Sequence, residues 1–410
     1  MYPSRRDFLK SIAGTSTLLS LSHAMPSFLQ RTARAAESTS ASSDNILIVL
    51  QLSGGNDGLN TVVPYSDDAY ARSRRTLRLT PNEVLKLDEQ LGLHPQVPQF
   101  KRLLDDGHLT IVQGVGYSGS DRNHDSALRD WHTAQPGEIQ CQTGWVGRFA
   151  DAASQIDNTD VPGVLVSSIP KPFALNAERS VVPAIPSAAQ WTLQGGSASQ
   201  DADRKAGSGA GNSLLELART STQAAGQLSQ RVEAVLAKSH SSAAYPRFTL
   251  AGQLKTVAQL IRADLGVRIY FTELGGGGIG GFDNHANQRD NHAALLRELS
   301  ESIAALIDDL KKDGTHRRVV LMTFSEFGRT LSENGRRGTG HGIAAPVFLA
   351  GGGLRPGLYG DHPSLTDLDG DAPKHHTDFR QVYATMMDRW LGIDSQIVLG
   401  KKYKPLDVFV

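Results

Sequence analysis

Short apolar runs separated by longer amphipathic segments set the pattern of this chain. The first run, Ile46–Leu52, is rich in isoleucine, leucine and valine and stops at a polar, glycine-containing segment. A run of this length that is closed by glycines is typical of a strand buried on both faces, as in a parallel sheet. Similar runs recur, and each predicts a strand: residues 109–115, 163–167, 267–274, 318–324 and 345–350.

Segments with helical periodicity lie between these runs. Because strands and helices alternate, the chain is predicted to have an α/β fold with a parallel central sheet. In such sheets ligands bind just past the carboxyl ends of the strands, so the residues that follow each run are the first candidates for function. The predicted helices cover residues 95–106, a segment starting at 144, 214–238, 250–265, a segment ending near 311, and 377–391.

Carboxylates and histidines stand at the borders of four predicted strands. Asp57 lies in the turn after the first run, Asp283 and His285 follow the fourth, Glu326 follows the fifth, and His341 precedes the sixth. Five such residues at one sheet edge predict a single site, and their chemistry suits zinc, manganese or a mixed divalent pair. A paired site would polarise an ester and stabilise its attacking and leaving oxygens. For Asp57 alone, the alternative is a local role in accepting bonds from backbone amides.

Residues 121–132 follow the second run and predict a loop and a helix amino terminus. Such a terminus favours anions, so Ser126 is a candidate nucleophile with His124 beside it. Arg122 and Arg329 are candidate clamps for an anionic group. The alternative is that the Ser and Asn side chains here only cap the helix.

Other polar features are interpreted as non-functional. The glycine run at residues 275–281 matches the G-x-G-x-x-G pattern of dinucleotide-binding proteins, but a polar D-N-H segment follows where a helix should open. The match is therefore interpreted as accidental. His292, on the following predicted helix, is expected at the surface. His375 and His376, which are adjacent to each other, are also expected at the surface.

The amino terminus has the form of an export signal. The sequence SRRDFLK at residues 4–10 is a twin-arginine motif, and an A-x-A cleavage site follows at residues 33–35. The apolar stretch between them is too short and too polar for a membrane span, which needs about 20 apolar residues. We therefore expect a signal peptide at residues 1–35, passage through the twin-arginine translocase, and a periplasmic or extracellular mature protein that is not integral to the membrane.

The remaining chain is expected to form one domain. A flexible linker is predicted at residues 36–44, a domain at residues 45–410, and a mobile Gly/Ser-rich insertion within it at about residues 192–213. The 410 residues are 39% apolar, which suffices for a large core. The 42 basic and 42 acidic residues argue against non-specific nucleic-acid binding. The single cysteine, Cys141, excludes an intramolecular disulfide and a cysteine-based zinc site.

Five segments carry a family resemblance: SGGNDGLNTVVP, DRNHDSALRDWHTA, FDNHANQ, FSEFGRT and GTGHG. Over nearly all of residues 45–395 the chain resembles a large uncharacterised bacterial family, exported by the twin-arginine route, with a domain of unknown function. That family is similar to the alkaline phosphatase and sulfatase superfamily. The resemblance implies a three-layer α/β/α sandwich with a mostly parallel central sheet. It also implies a divalent metal at the strand ends, among zinc, manganese, calcium and magnesium.

The resemblance assigns roles to the five candidate ligands. Asp57 resembles the superfamily's first-strand metal aspartate, Asp283 and His285 resemble its middle ligands, and His341 resembles its late histidine. Glu326 falls where the superfamily has an Asp-His pair.

The chain also departs from the family pattern. Ser325-Glu326 replaces the Asp-His pair, which puts the second metal position in question. Asn123-His124 stands where relatives often have Ser-His, which leaves Ser126 as a substitute nucleophile. No sulfatase-type Cys or Ser-x-Pro-x-Arg motif is present, so formylglycine chemistry is not expected.

Two interpretations of function stay open at this point. In the first, the protein is an exported metal-dependent hydrolase that acts on a small anionic phosphate or sulfate ester. In the second, it is a non-catalytic protein on a degenerate hydrolase fold that binds or assembles a component of the cell envelope. A shared fold does not choose between them.

Overall fold

The computed structural model describes four stretches of the chain: residues 45–157, 162–185, 243–276 and 281–410. These stretches belong to one compact unit. The expected signal peptide at 1–35, linker at 36–44 and insertion at about 192–213 lie outside the described residues, as does the predicted helix at 214–238. Within the described stretches, no helix has the length and apolar character needed to span a bilayer.

Sixteen strands are present among the described residues, nine of them in one sheet. They are β1 (Ile46–Leu52), β2 (Val62–Val63), β3 (Leu85–Lys86), β4 (Gly92–Leu93), β5 (Leu109–Gly116), β6 (Gly163–Val166), β7 (Ala184–Ile185), β8 (Ile269–Leu274), β9 (Val319–Phe324), β10 (Arg329–Glu333), β11 (Thr339–His341), β12 (Ala345–Gly351), β13 (Gly357–Tyr359), β14 (Leu368–Asp369), β15 (Ala372–Pro373) and β16 (Thr377–Asp378).

The helices of the described residues alternate with the longer strands. They are α1 (Asp68–Ser73), α2 (Pro98–Asp105), α3 (His124–Thr133), α4 (Trp145–Asp157), α5 (Thr249–Arg262), α6 (Gln288–Lys311), α7 (Phe379–Thr385), which continues as a π-helix over Met386–Leu391, and α8 (Ser395–Leu399).

The central sheet is mixed and mostly parallel. Its order is β13-β5-β12-β9-β1-β8-β6-β7, and β16 pairs with β5. Strand β12 runs antiparallel to β5 and to β9, whereas β1, β8, β9 and β6 pair in parallel. Two antiparallel steps restore direction, so β5 points the same way as β1. The carboxyl ends of β1, β5, β8 and β9 therefore share one edge of the sheet with the amino end of β12.

Both faces of the sheet are buried, which explains why β1 is apolar at nearly every position. Ile48 and Leu50 face a hydrophobic cluster that includes α2, α5 and α6, whereas Leu47 and Val49 face a second cluster that includes α3, α4 and α7. Every residue of β1 is buried. The predicted three-layer α/β/α sandwich is therefore confirmed.

The predicted elements agree with the structure within a few residues. Helix α2 begins at Pro98 and not near residue 95. Proline suits this first helical position because the amide hydrogen that it lacks would be unpaired there. Asp378 caps α7 in a capping box with Gln381. The prediction of a surface position for His292 is wrong: its side chain is buried and contacts Asn56.

Candidate metal centre

Four side chains meet at the shared edge of the sheet and are called here the histidine–aspartate centre. His124 is the first residue of α3 after β5, Asp283 and His285 follow β8, and His341 ends β11 just before β12. They come from three separate segments of the chain, which the strand directions bring together. Of the five ligands expected from the sequence, Asp283, His285 and His341 lie here, together with His124, which was expected as a catalytic residue.

The carboxylate of Asp283 is the point on which the three imidazoles converge. Its Oδ1 lies 3.0 Å from His285 Nε2, 3.2 Å from His341 Nε2 and 3.4 Å from His124 Nε2. Ligands around a tetrahedral ion with bonds of about 2.0–2.1 Å are themselves separated by about 3.4 Å. Donor atoms of His124, Asp283 and His341 all lie within 4.8 Å of one another, the spacing of a group that can hold a metal ion.

The histidine tautomers leave nitrogen lone pairs pointing into the centre. His124 Nδ1 donates to Glu326 Oε1 at 2.8 Å, and His341 Nδ1 donates to the carbonyl oxygen of Arg122 at 2.7 Å. In a neutral ring the Nε2 atom is then an acceptor. His124 Nε2 is buried and makes no hydrogen bond within the described residues. A buried nitrogen without a partner fits a metal ligand, because the ion would supply the missing interaction.

Glu326 supports the centre from behind. It is fully buried, and its Oε1 accepts from both His124 Nδ1 and the backbone amide of Gly54, at 2.8 Å each. A carboxylate that holds the far nitrogen of a metal-binding histidine fixes its tautomer and raises its basicity. The bond to Glu326 raises the pKa of His124 above its ordinary value. The structure therefore places Glu326 behind His124 and not at the convergence point.

Packing fixes the helix that carries His124. Trp131 on α3 stacks on Phe379 at 4.3 Å between ring centroids and on Phe324 of β9 at 5.5 Å. Asn123 caps the helix through the amide of Asp125. These contacts hold the amino end of α3 against the sheet edge, and the ring of His124 lies against that of His341, with centroids 4.5 Å apart.

Arg329 links the centre to the neighbouring loops. Its guanidinium is buried and donates to the carbonyls of Gly54, Gly55 and Phe282, and to Asp283 Oδ1 at 2.7 Å. Burial alone would raise the pKa of the Asp283 carboxyl, but Arg329, His285 and His341 together lower that pKa. The expectation that Arg329 clamps an external anion is not supported, because its donors already bind groups of the protein.

The structure does not bring Asp57 into the centre. Its Oδ2 lies 2.5 Å from Arg74 Nη1 and also accepts from Gln288, and its Oδ1 accepts from the amide of Asn60. We call these four residues the Asp57 network. Burial alone would raise the pKa of Asp57, but Arg74 lowers it below its ordinary value. Asp57 thus caps a short 3₁₀ helix and neutralises a buried arginine.

Ser126 and the side chain of Arg122 also lie apart from the convergence point. The Ser126 hydroxyl donates to Asp121 Oδ1 at 2.5 Å, one turn back along the chain. The Arg122 guanidinium pairs with Asp369 at 2.9 Å, and only its main-chain carbonyl serves the centre. Arg122 has a φ of 59°, a strained left-handed conformation for a non-glycine residue, and its carbonyl is the acceptor for His341.

Sequence reasoning missed three residues that organise this edge. Arg74 and Gln288 hold Asp57, and Asn56 binds His292 Nε2 at 3.0 Å. Arg74 lies in a polar, basic segment that looks like surface, and no periodicity marks it. The nearby Tyr70 is buried and its hydroxyl reaches Asn60 at 2.9 Å, which is a local sign that this segment turns inward.

These features define an α/β sandwich with a histidine-rich, metal-type side-chain cluster at the carboxyl edge of its sheet. The chain belongs to the family described as Protein of unknown function (DUF1501), whose model matches residues 44–404. The predicted membership of an uncharacterised family is therefore confirmed. No curated protein matches the chain.

The chain is similar to several solved structures at low sequence identity and low TM-score. Lipoteichoic acid synthase LtaP from Listeria monocytogenes is 9% identical with a TM-score of 0.43, covering 88% of this chain and 75% of that one. A protein in the alkaline phosphatase superfamily from Vibrio parahaemolyticus is 10% identical with a TM-score of 0.41, covering 89% and 72%. Alkaline phosphatase from the Antarctic bacterium TAB5 is 14% identical with a TM-score of 0.35, covering 76% and 93%.

Proposed function

We propose that the protein binds one divalent metal ion through His124, Asp283 and His341 and uses it to hydrolyse an anionic phosphate or sulfate ester. The observation that carries this is the convergence of imidazole nitrogens on Asp283 Oδ1, with His124 Nε2 buried and lacking a hydrogen bond. An imidazole-rich donor set suits zinc better than calcium or magnesium, which prefer oxygen.

The site supports one ion and not a pair. A second ion would need Asp57 and Glu326 as free carboxylates. Asp57 is neutralised by Arg74, and the Oε1 of Glu326 accepts from His124 and Gly54. Freeing either would leave a buried cation or imidazole without its partner, at a cost of several kcal/mol. The predicted second metal position is thus filled by bonds within the protein.

A bound divalent ion would supply Lewis acidity, which activates water and stabilises the charge that develops on an ester oxyanion. The chain's own groups do the rest. Glu326 and the carbonyl of Arg122 accept from Nδ1 of His124 and His341, which directs the Nε2 atoms of both rings toward Asp283. Arg329 keeps the Asp283 carboxylate ionised. Ser126 is bound to Asp121, and no hydroxyl of the described residues hydrogen-bonds to the four side chains of the centre, so water is the proposed nucleophile.

His285 distinguishes catalysis from a purely structural metal site. Its side chain is 36% exposed, against 8% for His124 and 21% for His341. In the catalytic proposal it faces solvent and protonates the leaving group, and the ion keeps an open position. Its Nε2 also lies 2.8 Å from His341 Nε2, so it is placed to close the site as a fourth ligand. A closed four-ligand site is typical of structural zinc and fits a non-catalytic protein.

The experiment measures metal content and ester hydrolysis in parallel. Mature protein should contain close to one divalent ion per chain by elemental mass analysis, and His124→Ala and Asp283→Ala should lose it, whereas the control His316→Gln should not. His285→Ala should keep the ion and lose activity toward aryl phosphate or sulfate esters. Loss of the ion from His285→Ala, in a protein without esterase activity, would establish the structural role instead. A metal-free wild type would contradict both.

Export through the twin-arginine route completes the proposal. The motif SRRDFLK at residues 4–10 supports it, and the folded, metal-loaded domain would be released to the periplasm or the exterior. A fusion of residues 1–44 to a reporter that is active only when exported folded should be transported. Changing Arg5 and Arg6 to lysine together should abolish that transport.

A further inference from the structure

Six exposed arginines lie on three segments of chain beside the centre, and we call them the arginine face. The segments are residues 72–78, 285–290 and 333–337. No lysine occurs in any of them, and their two acidic residues are Asp290 and Glu333. The members of the face are Arg72, Arg75, Arg78, Arg289, Arg336 and Arg337.

Hydrogen bonds hold these segments side by side. The Glu333 carboxylate accepts from the amides of Thr76 and Leu77, at 3.0 and 2.8 Å, so the first segment is fastened to the β10–β11 hairpin. The amide of Asn287 donates to the carbonyl of Arg336 at 3.0 Å, which fastens the hairpin turn to the start of α6. The Glu333 side chain and the main-chain bond of Asn287 thus hold together segments that are far apart in sequence.

Four cations on this surface lack a carboxylate partner. Arg289 pairs with Glu83 at 2.9 Å, and Arg72 has a loose contact with Asp68 at 3.7 Å. The other four form no ion pair within the described residues: Arg75, Arg78, Arg336 and Arg337. Since the whole chain has equal numbers of acidic and basic side chains, this excess is a local separation of charge.

The face borders the histidine–aspartate centre directly. Asn334, at the start of the hairpin turn, donates its amide to the carbonyl oxygen of His285 at 3.0 Å. A side chain at Gly338 would collide with the backbone of His285, so the two strands of chain are in van der Waals contact there. A molecule bound by Arg336 and Arg337 therefore lies next to the most exposed histidine of the centre.

We infer that the arginine face binds an extended anionic polysaccharide that carries phosphate or sulfate groups at intervals, and presents one of them to the centre. The inference rests on the proposed function for the role of the centre, and on the face itself for the binding. Guanidinium groups suit this ligand because their planar donors match phosphate and sulfate oxygens in pairs. Several spaced contacts suit a polymer better than one small ester, because linked weak contacts add up to useful affinity.

Nucleic acid fits the face less well. Proteins that bind single strands interleave basic groups with aromatic rings on which bases stack. The three segments contain no Phe, Trp or Tyr. The face therefore offers charge without a stacking platform.

The test is binding of labelled dextran sulfate and of linear polyphosphate to the full chain, by fluorescence anisotropy over a salt series. Arg336→Gln with Arg337→Asn removes two charges, and Asn suits the φ of 57° at residue 337. The pair Arg75→Gln and Arg78→Gln removes two more. Each double variant should weaken binding roughly fivefold to tenfold and lower the salt dependence, since exposed charge contacts are individually weak and additive.

A matched control uses Arg179→Gln with Arg247→Gln, which removes two exposed arginines outside the three segments. If Arg336→Gln with Arg337→Asn binds the polymers as tightly as this control does, the inference is overturned. A wild type that binds neither polymer would also overturn it. Tighter binding of single-stranded DNA than of either polymer would overturn it in favour of nucleic acid. Comparing the two polymers tells whether sulfate or phosphate is preferred. Metal content should stay at the wild-type value in every arginine variant. A variant that loses the ion has a damaged centre, whereas a variant that keeps the ion and loses polymer binding has lost only the arginine face.

Discussion

Two acidic residues at the same edge of the sheet have opposite surroundings. Asp57, after β1, is enclosed by a guanidinium, an amide side chain and a backbone amide, and its charge is balanced by Arg74. Asp283, after β8, lies beside three imidazoles and the buried Arg329, and its side chain is 13% exposed. The sequence pattern is nearly the same: an acidic side chain in a glycine-containing loop after a buried strand.

The difference lies in what neutralises each carboxylate. In the Asp57 network, a fixed cation and hydrogen-bond donors satisfy the carboxylate oxygens, so no ion is needed. In the histidine–aspartate centre the neighbours are three imidazoles and Arg329, and the Nδ1 atoms of His124 and His341 bind oxygens outside the centre, which leaves their Nε2 atoms toward Asp283. In the proposed assignment, Asp283 is a metal ligand because imidazoles surround it, whereas Asp57 is structural because donors satisfy its oxygens.

Asp57→Ala provides the largest expected effect. Removing the carboxylate leaves the fully buried Arg74 without its counter-ion, which should lower the free energy of unfolding by about 3–5 kcal/mol. Urea denaturation measures it. Metal content of the remaining folded protein should match the wild type. A variant that is stable but metal-free would place Asp57 among the ligands and undo the comparison.

His124→Ala should remove the metal but leave the Asp57 network intact. In wild-type protein, zinc at about 100 times its dissociation constant should stabilise the fold by about 2.7 kcal/mol, and the variant should show no such gain. Thermal unfolding with and without added zinc measures the difference. An equal zinc-dependent shift in Tm for both proteins would show that the ion binds elsewhere. His316→Gln serves as the histidine control.

Glu326→Gln tests the support behind the centre. Glutamine keeps a hydrogen-bond acceptor for His124 and Gly54 but removes the charge, so the fold should persist. Loss of such an outer carboxylate typically weakens metal affinity about 10–100-fold. Competition with a zinc chelator measures the affinity. If the variant binds zinc as tightly as the wild type, Glu326 supports only the fold and does not support the ion.

The pH dependence of stability tests His292, a buried histidine beside the Asp57 network. Burial lowers the pKa of His292 to about 4, and the charges of Asp57, Arg74 and Arg329 also influence that pKa. The ring of His94 packs edge-on against the ring of His292. Because its pKa is depressed in the folded state, the stability it contributes is present above pH 6.5 and is lost as the pH falls from about 6.5 toward about 4.

The expected slope is up to about 1.4 kcal/mol per pH unit in that range. His292→Gln, which retains a donor for Asn56, should flatten the part of the slope that His292 contributes. Urea midpoints at pH 7, 6 and 5 measure it. An unchanged slope in the variant would assign the acid sensitivity to other buried histidines, such as His132, whose pKa burial also lowers to about 4.

Much of the fold could be predicted from the chain. The buried strands stand out because a sheet covered on both faces requires apolar residues at consecutive positions, as in β1 and β9. The loops that carry Asp283, His285 and His341 could be assigned to one edge, because strand direction alone decides which loops meet. The wrong surface assignment of His292 has a similar physical cause: a polar residue gives no local sign of a buried partner such as Asn56.

By itself, the sequence determined the α/β sandwich, its family and the edge at which its polar residues collect, because those depend on periodicity and strand order. Only the tertiary structure decided which carboxylate faces imidazoles and which faces an arginine. That choice depends on Arg74 and His124, which are 17 and 202 residues from the acids they contact, Asp57 and Glu326. Hydrogen-bond partnership between distant residues leaves no periodic trace in a chain, so only folding decided which side chains meet at the sheet edge.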